Sequence, residues 1–467
     1  MINNNIFRAY DIRGVVPTEL DEDTAGKVGR AFGTFIFDTD SARKRIMKFG
    51  EEPHVAVGGD ARLHTPKLKA ALIRGLQSTG VRVIDFGTIP TPLLYFAVAY
   101  KRLDGGIAVT ASHNPKEYNG FKICAAGGVC LSWDTGIKAV LDIINSGKFR
   151  VGQKQGDYVF SNILEDYKHF ISTKVNLHWL EKLKVVIDGG NGVSGNIAAD
   201  IFGGGGSEVV KVYCDPDGSF PNHEPDPIKK ENLKDLQKAV LDSKADLGIA
   251  YDGDGDRVAF VGPDGKIIES YIVLSILAKE AIRNKPGAKI VFDVTSSKTV
   301  EDTIKQNGGI PVQSRVGHSF IQSKILFEGC DLAGEHSGHY FFKESFGFDD
   351  AIFASLKFAD LVAKTGLDNL THDISLYITA DEVRVFCNDM EKFDIVEKLK
   401  TDLKAKYSVL DIDGVKVNVG SGWFLIRASN TVPALGIRWE AKTQEDFDKI
   451  KGIVQCSIAK YGLDTNW

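Results

Sequence analysis

The chain has 467 residues, 57 Lys and Arg against 62 Asp and Glu, a formal net charge of −5, and 43% hydrophobic and 25% charged residues. At roughly 150 residues per domain the length predicts about three or four domains, and the balance excludes a disordered, collagenous or coiled-coil chain. No run approaches the ~18 apolar residues of a membrane span, and the Asn-rich residues 1–7 do not resemble a basic leader with an apolar core. A cytoplasmic protein without a membrane partner is therefore expected. A mildly acidic chain also lacks the positive field that gathers nucleic acid, so an anionic ligand must be held by local groups. The six cysteines, Cys124, Cys130, Cys214, Cys330, Cys387 and Cys456, form no CxxC pair. They predict reduced, mostly buried thiols rather than a zinc site or a disulfide framework.

In chain order, an apolar strand at 54–58 leads through Asp60 to a helix at 65–80 and a strand at 81–86. The same pattern recurs as strand 184–188, a Gly/Ser loop, a helix ending near Phe202 and strand 209–212. It recurs again as strand 289–293, a helix to about Gln306 and strand 310–312. Strands alternating with helices of this length predict βαβ units and parallel sheets. Downstream of each copy an Asp opens a short strand of small residues, at 104–109, 246–250 and 331–333. Each strand then gives way to a polar loop: Thr110-Ala-Ser-His-Asn-Pro115, Asp252-Gly-Asp-Gly-Asp256 and Gly334-Glu-His-Ser-Gly338. Three homologous α/β units presenting different loops at equivalent positions are expected. The last portion has strand patterns at 381–386, 414–418, 423–427 and 435–440, with helices near 390–407 and 444–461. That is the pattern of a separate α+β domain. Divisions are expected at 1–153, 154–260, 261–372 and 373–467.

Asp252, Asp254 and Asp256 alternate with glycines that let the backbone turn tightly enough for the carboxylates to converge, and hard oxygen ligands suit Mg²⁺ or Ca²⁺. An EF-hand is excluded, because its sixth position holds Arg257 and its twelfth Pro263 instead of Gly and Glu. Ser112 is a candidate nucleophile, with His113 and Asn114 as hydrogen-bonding partners; no GxSxG elbow accompanies it. Gly190-Asn-Gly-Val-Ser-Gly195 formally matches the dinucleotide fingerprint, but Asp188 just ahead of it would repel a pyrophosphate, so a tight strand-to-helix turn is expected. No GxxxxGK[ST] motif exists. Arg427-Ala-Ser-Asn-Thr431, followed by Arg438, gathers guanidinium, hydroxyl and amide donors suited to a phosphate dianion.

These four loops, in this order, resemble those of the α-D-phosphohexomutases, in particular the phosphomannomutase/phosphoglucomutase branch. Residues 7–14, 119–122, 218–222 and 316–319 add to the resemblance, which spans nearly the whole chain. It implies three α/β domains with mixed, mostly parallel sheets and a C-terminal α+β domain, arranged around a central cleft. It implies interconversion of hexose 1-phosphate and hexose 6-phosphate, of mannose or glucose, through a phosphoserine at Ser112 and a hexose 1,6-bisphosphate that serves as intermediate and activator. One Mg²⁺ would be held by Asp252, Asp254, Asp256 and the phosphoserine. His113 would assist Ser112, and Lys122, Arg13 and His339 are candidate acid/base groups. Glu335 and Ser337 would contact sugar hydroxyls. Arg427, Ser429, Asn430 and Thr431, with Arg438, would hold the phosphate that is not transferred, and Tyr10, Arg257 and His318 would line the cleft. A monomer or homodimer is expected. Two departures bear on specificity: Thr295-Ser-Ser297 stands where many members have a basic residue, with Lys298 as a substitute, and His336 occupies the variable position of the sugar loop. Glucosamine phosphate is the alternative substrate, and a non-catalytic phosphosugar-binding protein the remoter alternative.

Overall fold

Three strands set the frame: His54–Gly59, Lys184–Asp188 and Lys289–Asp293. In the computed structural model, which describes residues 2–388, 390–429 and 433–467, each lies between two parallel neighbours. His54–Gly59 pairs with Arg82–Thr88 and Gly105–Val109. Lys184–Asp188 pairs with Glu208–Val212 and Leu247–Tyr251. Lys289–Asp293 pairs with Ile310–Ser314 and Leu332–Gly334. Strands buried on both faces read as continuous apolar runs rather than alternating ones, which is why all three stand out in the sequence.

The repeat extends to single hydrogen bonds. Asp104, Asp246 and Asp331 each precede the third strand of their copy, and each carboxylate accepts the first N–H of the central strand: His54 at 2.8 Å, Lys184 at 2.8 Å and Lys289 at 3.1 Å. Their own N–H groups return to the carbonyls of the same residues at 2.9, 2.8 and 2.9 Å. The acidic residue at this point of each copy thus closes the open end of the ladder.

The chain divides into two compact units. One comprises residues 1–269, 325–328 and 337–370, the other residues 270–324, 329–336 and 371–467. In the first, Tyr118–Ala125 runs antiparallel to Gly105–Val109, and Ile12–Val15 runs antiparallel to it in turn. Val258–Val261 runs antiparallel to Leu247–Tyr251. The serine loop and the triple-Asp loop are therefore the connections of corresponding antiparallel pairs. Of the cysteines, Cys124, Cys130, Cys214 and Cys330 are buried, Cys387 is half-buried and Cys456 is exposed, all as free thiols. No helix among the described residues is long and apolar enough to cross a membrane.

In the second unit the C-terminal sheet pairs Val415–Val419, Gly422–Ala428 and Ala434–Ala441 in antiparallel order. Register and the period of two give it unlike faces. Val415, Val417, Phe424, Ile426, Ile437 and Trp439 share one face and form a core with Ile395 and Leu399 of the helix Lys392–Lys404 and Ile450 and Val454 of the helix Gln444–Ala459. The opposite face carries Lys416, Trp423, Leu425, Arg438 and Glu440, and it meets the segment after strand Lys289–Asp293. Trp423 and Leu425 pack on Val294. Lys416 Nζ donates to the Val294 carbonyl at 2.8 Å and lies 3.7 Å from the centre of the Trp423 ring. Arg438 Nη1 donates to the Thr295 carbonyl at 3.1 Å, and Glu440 accepts the Lys298 N–H and the Trp423 indole N–H, each at 2.6 Å.

Burial outweighs the nearby Glu440 carboxylate and pushes the Lys416 amine down to about 8. A base whose pKa is depressed on folding binds its proton less tightly in the native state, so native stability rises as pH climbs from about 8 towards the unfolded value near 10.5. The gain is on the order of 3 kcal/mol. Urea unfolding at pH 8 and pH 10 is expected to show it in the wild type and not in Lys416→Met. Parallel pH dependences in the two proteins would refute this role for Lys416.

Candidate active site

Ser112 sits in the connection between Gly105–Val109 and Tyr118–Ala125, 1% exposed, with φ of +50°. The left-handed region is costly for a residue with a Cβ, so neighbours must hold it there. Its N–H donates to Thr110 Oγ1 at 2.9 Å, its hydroxyl donates to Asp252 Oδ2 at 2.8 Å, and its Oγ lies 3.1 Å from His113 Nδ1. Burial, reinforced by the Arg257 and Arg13 cations, pushes the His113 imidazole well below its ordinary value, so it is neutral at pH 7.

The other carboxylate oxygen of Asp252 folds the acidic loop, accepting the N–H groups of Gly255, Asp256 and Arg257 at 2.8, 3.1 and 3.2 Å. Thr91 donates its hydroxyl to Asp254 Oδ2 at 2.6 Å and its N–H to the Asp254 carbonyl at 2.9 Å. Behind the loop stands the Gly190–Gly195 turn. A Cβ on Gly192 would lie 2.8 Å from the Gly253 carbonyl oxygen, so only glycine lets the two loops approach. Asp188 accepts the Gly190 N–H at 2.9 Å. The apparent dinucleotide fingerprint is thus a tight turn that supports the acidic loop.

Asp252, Asp254 and Asp256 are at most 1% exposed, and an oxygen from each lies within 4.8 Å of the others. Burial and the two neighbouring carboxylates push Asp252 well above the usual carboxylate range. Burial would raise Asp256 too, but Lys122, His339 and Arg257 hold it well below that range. Lys122 Nζ donates to Asp254 Oδ2 at 2.8 Å and also to Asp256. Burial works against its charge, but Asp254, Asp256 and Asp252 outweigh burial and keep it protonated. Converging buried oxygens, of which Asp254 Oδ1 and Asp256 Oδ1 accept no hydrogen bond from the described residues, fit a hard divalent cation.

A second cluster shares Asp256. His339 Nε2 lies 3.4 Å from Asp256 and 3.8 Å from Asp349, and Arg257 Nε donates to it at 3.4 Å. Ser337 Oγ is 2.7 Å from His339 Nδ1. Here the Arg257 guanidinium donates to the histidine itself, and the group contains an imidazole where the triad has carboxylates alone. Arg13 pairs with Asp11 at 2.6 Å and donates to Asn114 Oδ1 at 2.8 Å, and Tyr10 is half-buried with an electrostatic effect on Arg257. The first unit therefore brings together Ser112, His113, Arg13, Lys122, the three aspartates, Arg257, Ser337 and His339.

The remaining expected residues lie in the second unit. Buried Glu335 accepts the Gly317 N–H at 2.8 Å, next to buried His318. Arg427 lies 3.7 Å from Asp413, which also accepts the Val316 N–H at 3.2 Å. Ser429 donates its N–H to the Ala434 carbonyl at 2.9 Å. Asn430 and Thr431 fall outside the described residues. Arg438 donates to the Thr295 carbonyl at 3.1 Å. Thr295 and Ser296 turn their hydroxyls to Asp293, both at 2.8 Å, and the lysine that reaches this segment's backbone is Lys416.

Sequence reasoning passed over Thr91, Asp349 and Arg62, each in contact with a site residue or with the backbone of the serine loop. None lies in a loop with a chemical signature. Only the pair Asp60 and Arg62, an acidic and a basic residue at a strand end, carried any signal, and it is a common one.

Comparison with known proteins agrees with this geometry. Residues 4–151, 165–265 and 269–377 match the phosphoglucomutase/phosphomannomutase alpha/beta/alpha domains I, II and III, and residues 382–454 match the C-terminal domain of the same family. The phosphomannomutase/phosphoglucomutase of Pseudomonas syringae pv. tomato is 39% identical over 99% of this chain and 97% of its own. That of Pseudomonas aeruginosa is 41% identical over 96% and 94%. A crystal structure of a phosphoglucomutase/phosphomannomutase family protein from Burkholderia thailandensis superposes with a TM-score of 0.88 at 34% identity, covering 98% of both chains. The fold and the acidic loop define a sugar-phosphate isomerase of four-part α/β architecture. The chain belongs to the phosphoglucomutase/phosphomannomutase family, and its acidic triad fits a metal site.

Binding of a cation to the triad stabilises the native state by mass action. Adding Mg²⁺ to metal-stripped protein is expected to raise Tm, and Asp254→Asn should shift the half-saturating concentration upward by roughly 10-fold or more. Equal shifts in the two proteins, read by differential scanning calorimetry, would exclude the triad as the metal site.

Proposed function

We propose that the protein is a phosphohexomutase that interconverts the 1- and 6-phosphates of mannose or glucose through a phosphoserine at Ser112. The observation that carries this reading is the Ser112 hydroxyl, 2.8 Å from a buried carboxylate of a metal-fitting triad. Phosphoryl transfer demands in-line placement and neutralised charge more than covalent assistance from the protein. Asp252, Asp254 and Asp256 would hold one Mg²⁺, which when bound offsets the negative charge of the phosphoryl oxygens.

The protein's own groups do the rest. The P–Oγ bond of phosphorylated Ser112 breaks as a sugar hydroxyl oxygen bonds to phosphorus; a neighbouring base takes the hydroxyl proton and the leaving Ser112 Oγ takes up a proton from a neighbouring acid. His339, Lys122 and Arg13 are the candidate acid/base groups for that exchange; Lys122, kept protonated by its aspartates, and Arg13 enter it as proton donors to the moving group. The resulting hexose 1,6-bisphosphate turns end over end and returns its other phosphoryl group to Ser112, so the net reaction is isomerisation. Glu335 and Ser337 serve the sugar, Tyr10, Arg257 and His318 line the cleft, and Arg427, Ser429, Asn430 and Thr431, with Arg438, hold the phosphate that stays. This reading keeps the four divisions at 1–153, 154–260, 261–372 and 373–467, one loop in each, and a cytoplasmic enzyme. Relatives named for both mannose and glucose favour these hexoses over glucosamine.

Ser112→Ala is expected to lose at least roughly 1000-fold in turnover, because the covalent route disappears. A coupled assay of mannose, glucose and glucosamine 1-phosphates should show turnover of the first two above the third. Wild-type rates in Ser112→Ala, or turnover of glucosamine 1-phosphate alone, would contradict the reading.

A further inference from the structure

Arg62 lies at the end of strand His54–Gly59, outside every loop with a chemical signature, and is 1% exposed. A guanidinium has five N–H donors in a rigid planar fork, and all five are used here. Nε donates to Asp60 Oδ2 at 3.1 Å. Nη1 donates to the carbonyls of Pro115 and Tyr118 at 2.7 and 3.1 Å, and Nη2 to those of Ser112 and Asn114 at 2.7 and 2.5 Å. One buried side chain thus grips four carbonyls of the serine loop, including that of Ser112 itself.

The other side of the Ser112 backbone leads to the same carboxylate. The Ser112 N–H donates to Thr110 Oγ1 at 2.9 Å, and that hydroxyl donates to Asp60 Oδ2 at 2.7 Å. Asp60 Oδ1 also accepts the Thr65 hydroxyl at 2.7 Å and the Arg62 N–H at 3.0 Å. The N–H and the C=O of Ser112 are therefore both tethered to Asp60, one through Thr110 and the other through Arg62. Ser112 has φ of +50°, a conformation that relaxes unless both of its peptide groups are held.

From this we propose that Arg62 is a positioning residue for phosphoryl transfer, holding Ser112 in the strained conformation that aims its Oγ at the acidic loop. The proposal rests on the reading of Ser112 as the phosphorylated residue. Arg62 touches no substrate; it acts through the serine loop. Its chemistry is specific: a lysine keeps the charge beside Asp60 but has three donors without the planar fork, so it cannot hold all four carbonyls.

The test compares wild type, Arg62→Lys and Thr110→Val for kcat, KM, Tm, the Tm shift produced by Mg²⁺, and phosphate incorporated at Ser112 from glucose 1,6-bisphosphate. Misplacement of a reacting atom by about 1 Å costs around 100-fold in rate. Arg62→Lys is expected to lose about that much in kcat, with KM within roughly threefold and the Mg²⁺ response kept. Thr110→Val, which cuts only the other tether, should lose about 10-fold. If Arg62→Lys does not fold, Arg62→Gln, which keeps two N–H donors without the charge or the fork, takes its place. Turnover within threefold of wild type in the folded variants, with Ser112 still labelled, overturns the proposal and leaves the phosphoserine reading intact. A parallel loss of KM, Mg²⁺ response and Tm overturns it in favour of a general folding role. Absence of label from Ser112 in the wild type instead removes the underlying reading.

Discussion

Three carboxylates out of water beside a serine hydroxyl form the arrangement on which the rest of the first unit depends. Like charges this close cannot all remain ionised in a buried site without compensation. The protein answers in three ways: the Lys122 ammonium lies across Asp254 and Asp256, three backbone N–H groups converge on Asp252, and one Asp254 oxygen is left without a hydrogen bond from the described residues. The first two hold the loop together before a cation arrives, and the third is the opening a cation can fill. Lys122 is thus an internal counter-charge that must share its carboxylates with an incoming metal ion.

The geometry that brings the loops to their places is a single solution used repeatedly. In the first two copies of the repeat a parallel strand of small residues, closed at its start by an Asp, runs into an antiparallel partner, and the connection between them is free to vary. One copy of that connection carries Ser112 and another the three aspartates. Because the strand ends are held by the ladder and by Asp104 and Asp246, the loops can depart from comfortable backbone geometry. Ser112 at φ of +50° shows that one of them does. Strain at the reacting group is tolerated because the frame around it is redundant.

Much of this could be read in the sequence. The strands Lys184–Asp188 and Lys289–Asp293 were legible as uninterrupted apolar runs, and the C-terminal strands as alternating patterns whose two faces turned out to serve different purposes. The chemical loops were legible because carboxylates alternating with glycines, or a serine beside a histidine at a strand end, concentrate polar chemistry where a plain turn needs none. What escaped was pairing at a distance. Nothing local in the sequence joins Ser112 to Asp252, Thr91 to Asp254, or Arg62 to the carbonyls beyond it, since these contacts exist only after the sheet has brought its strand ends together. Arg438 illustrates the same limit: strand register brings its guanidinium to the Thr295 carbonyl, a contact that nothing local in the sequence shows.

The central claim is that this frame exists to present Ser112 as the group that carries the phosphoryl. Incubating folded, Mg²⁺-supplied protein with glucose 1,6-bisphosphate and mapping the phosphate by peptide mass spectrometry tests it most directly. The account predicts label on Ser112, lost again when hexose 1-phosphate is added. A folded, metal-supplied protein with phosphate on another residue, or on none, would contradict it.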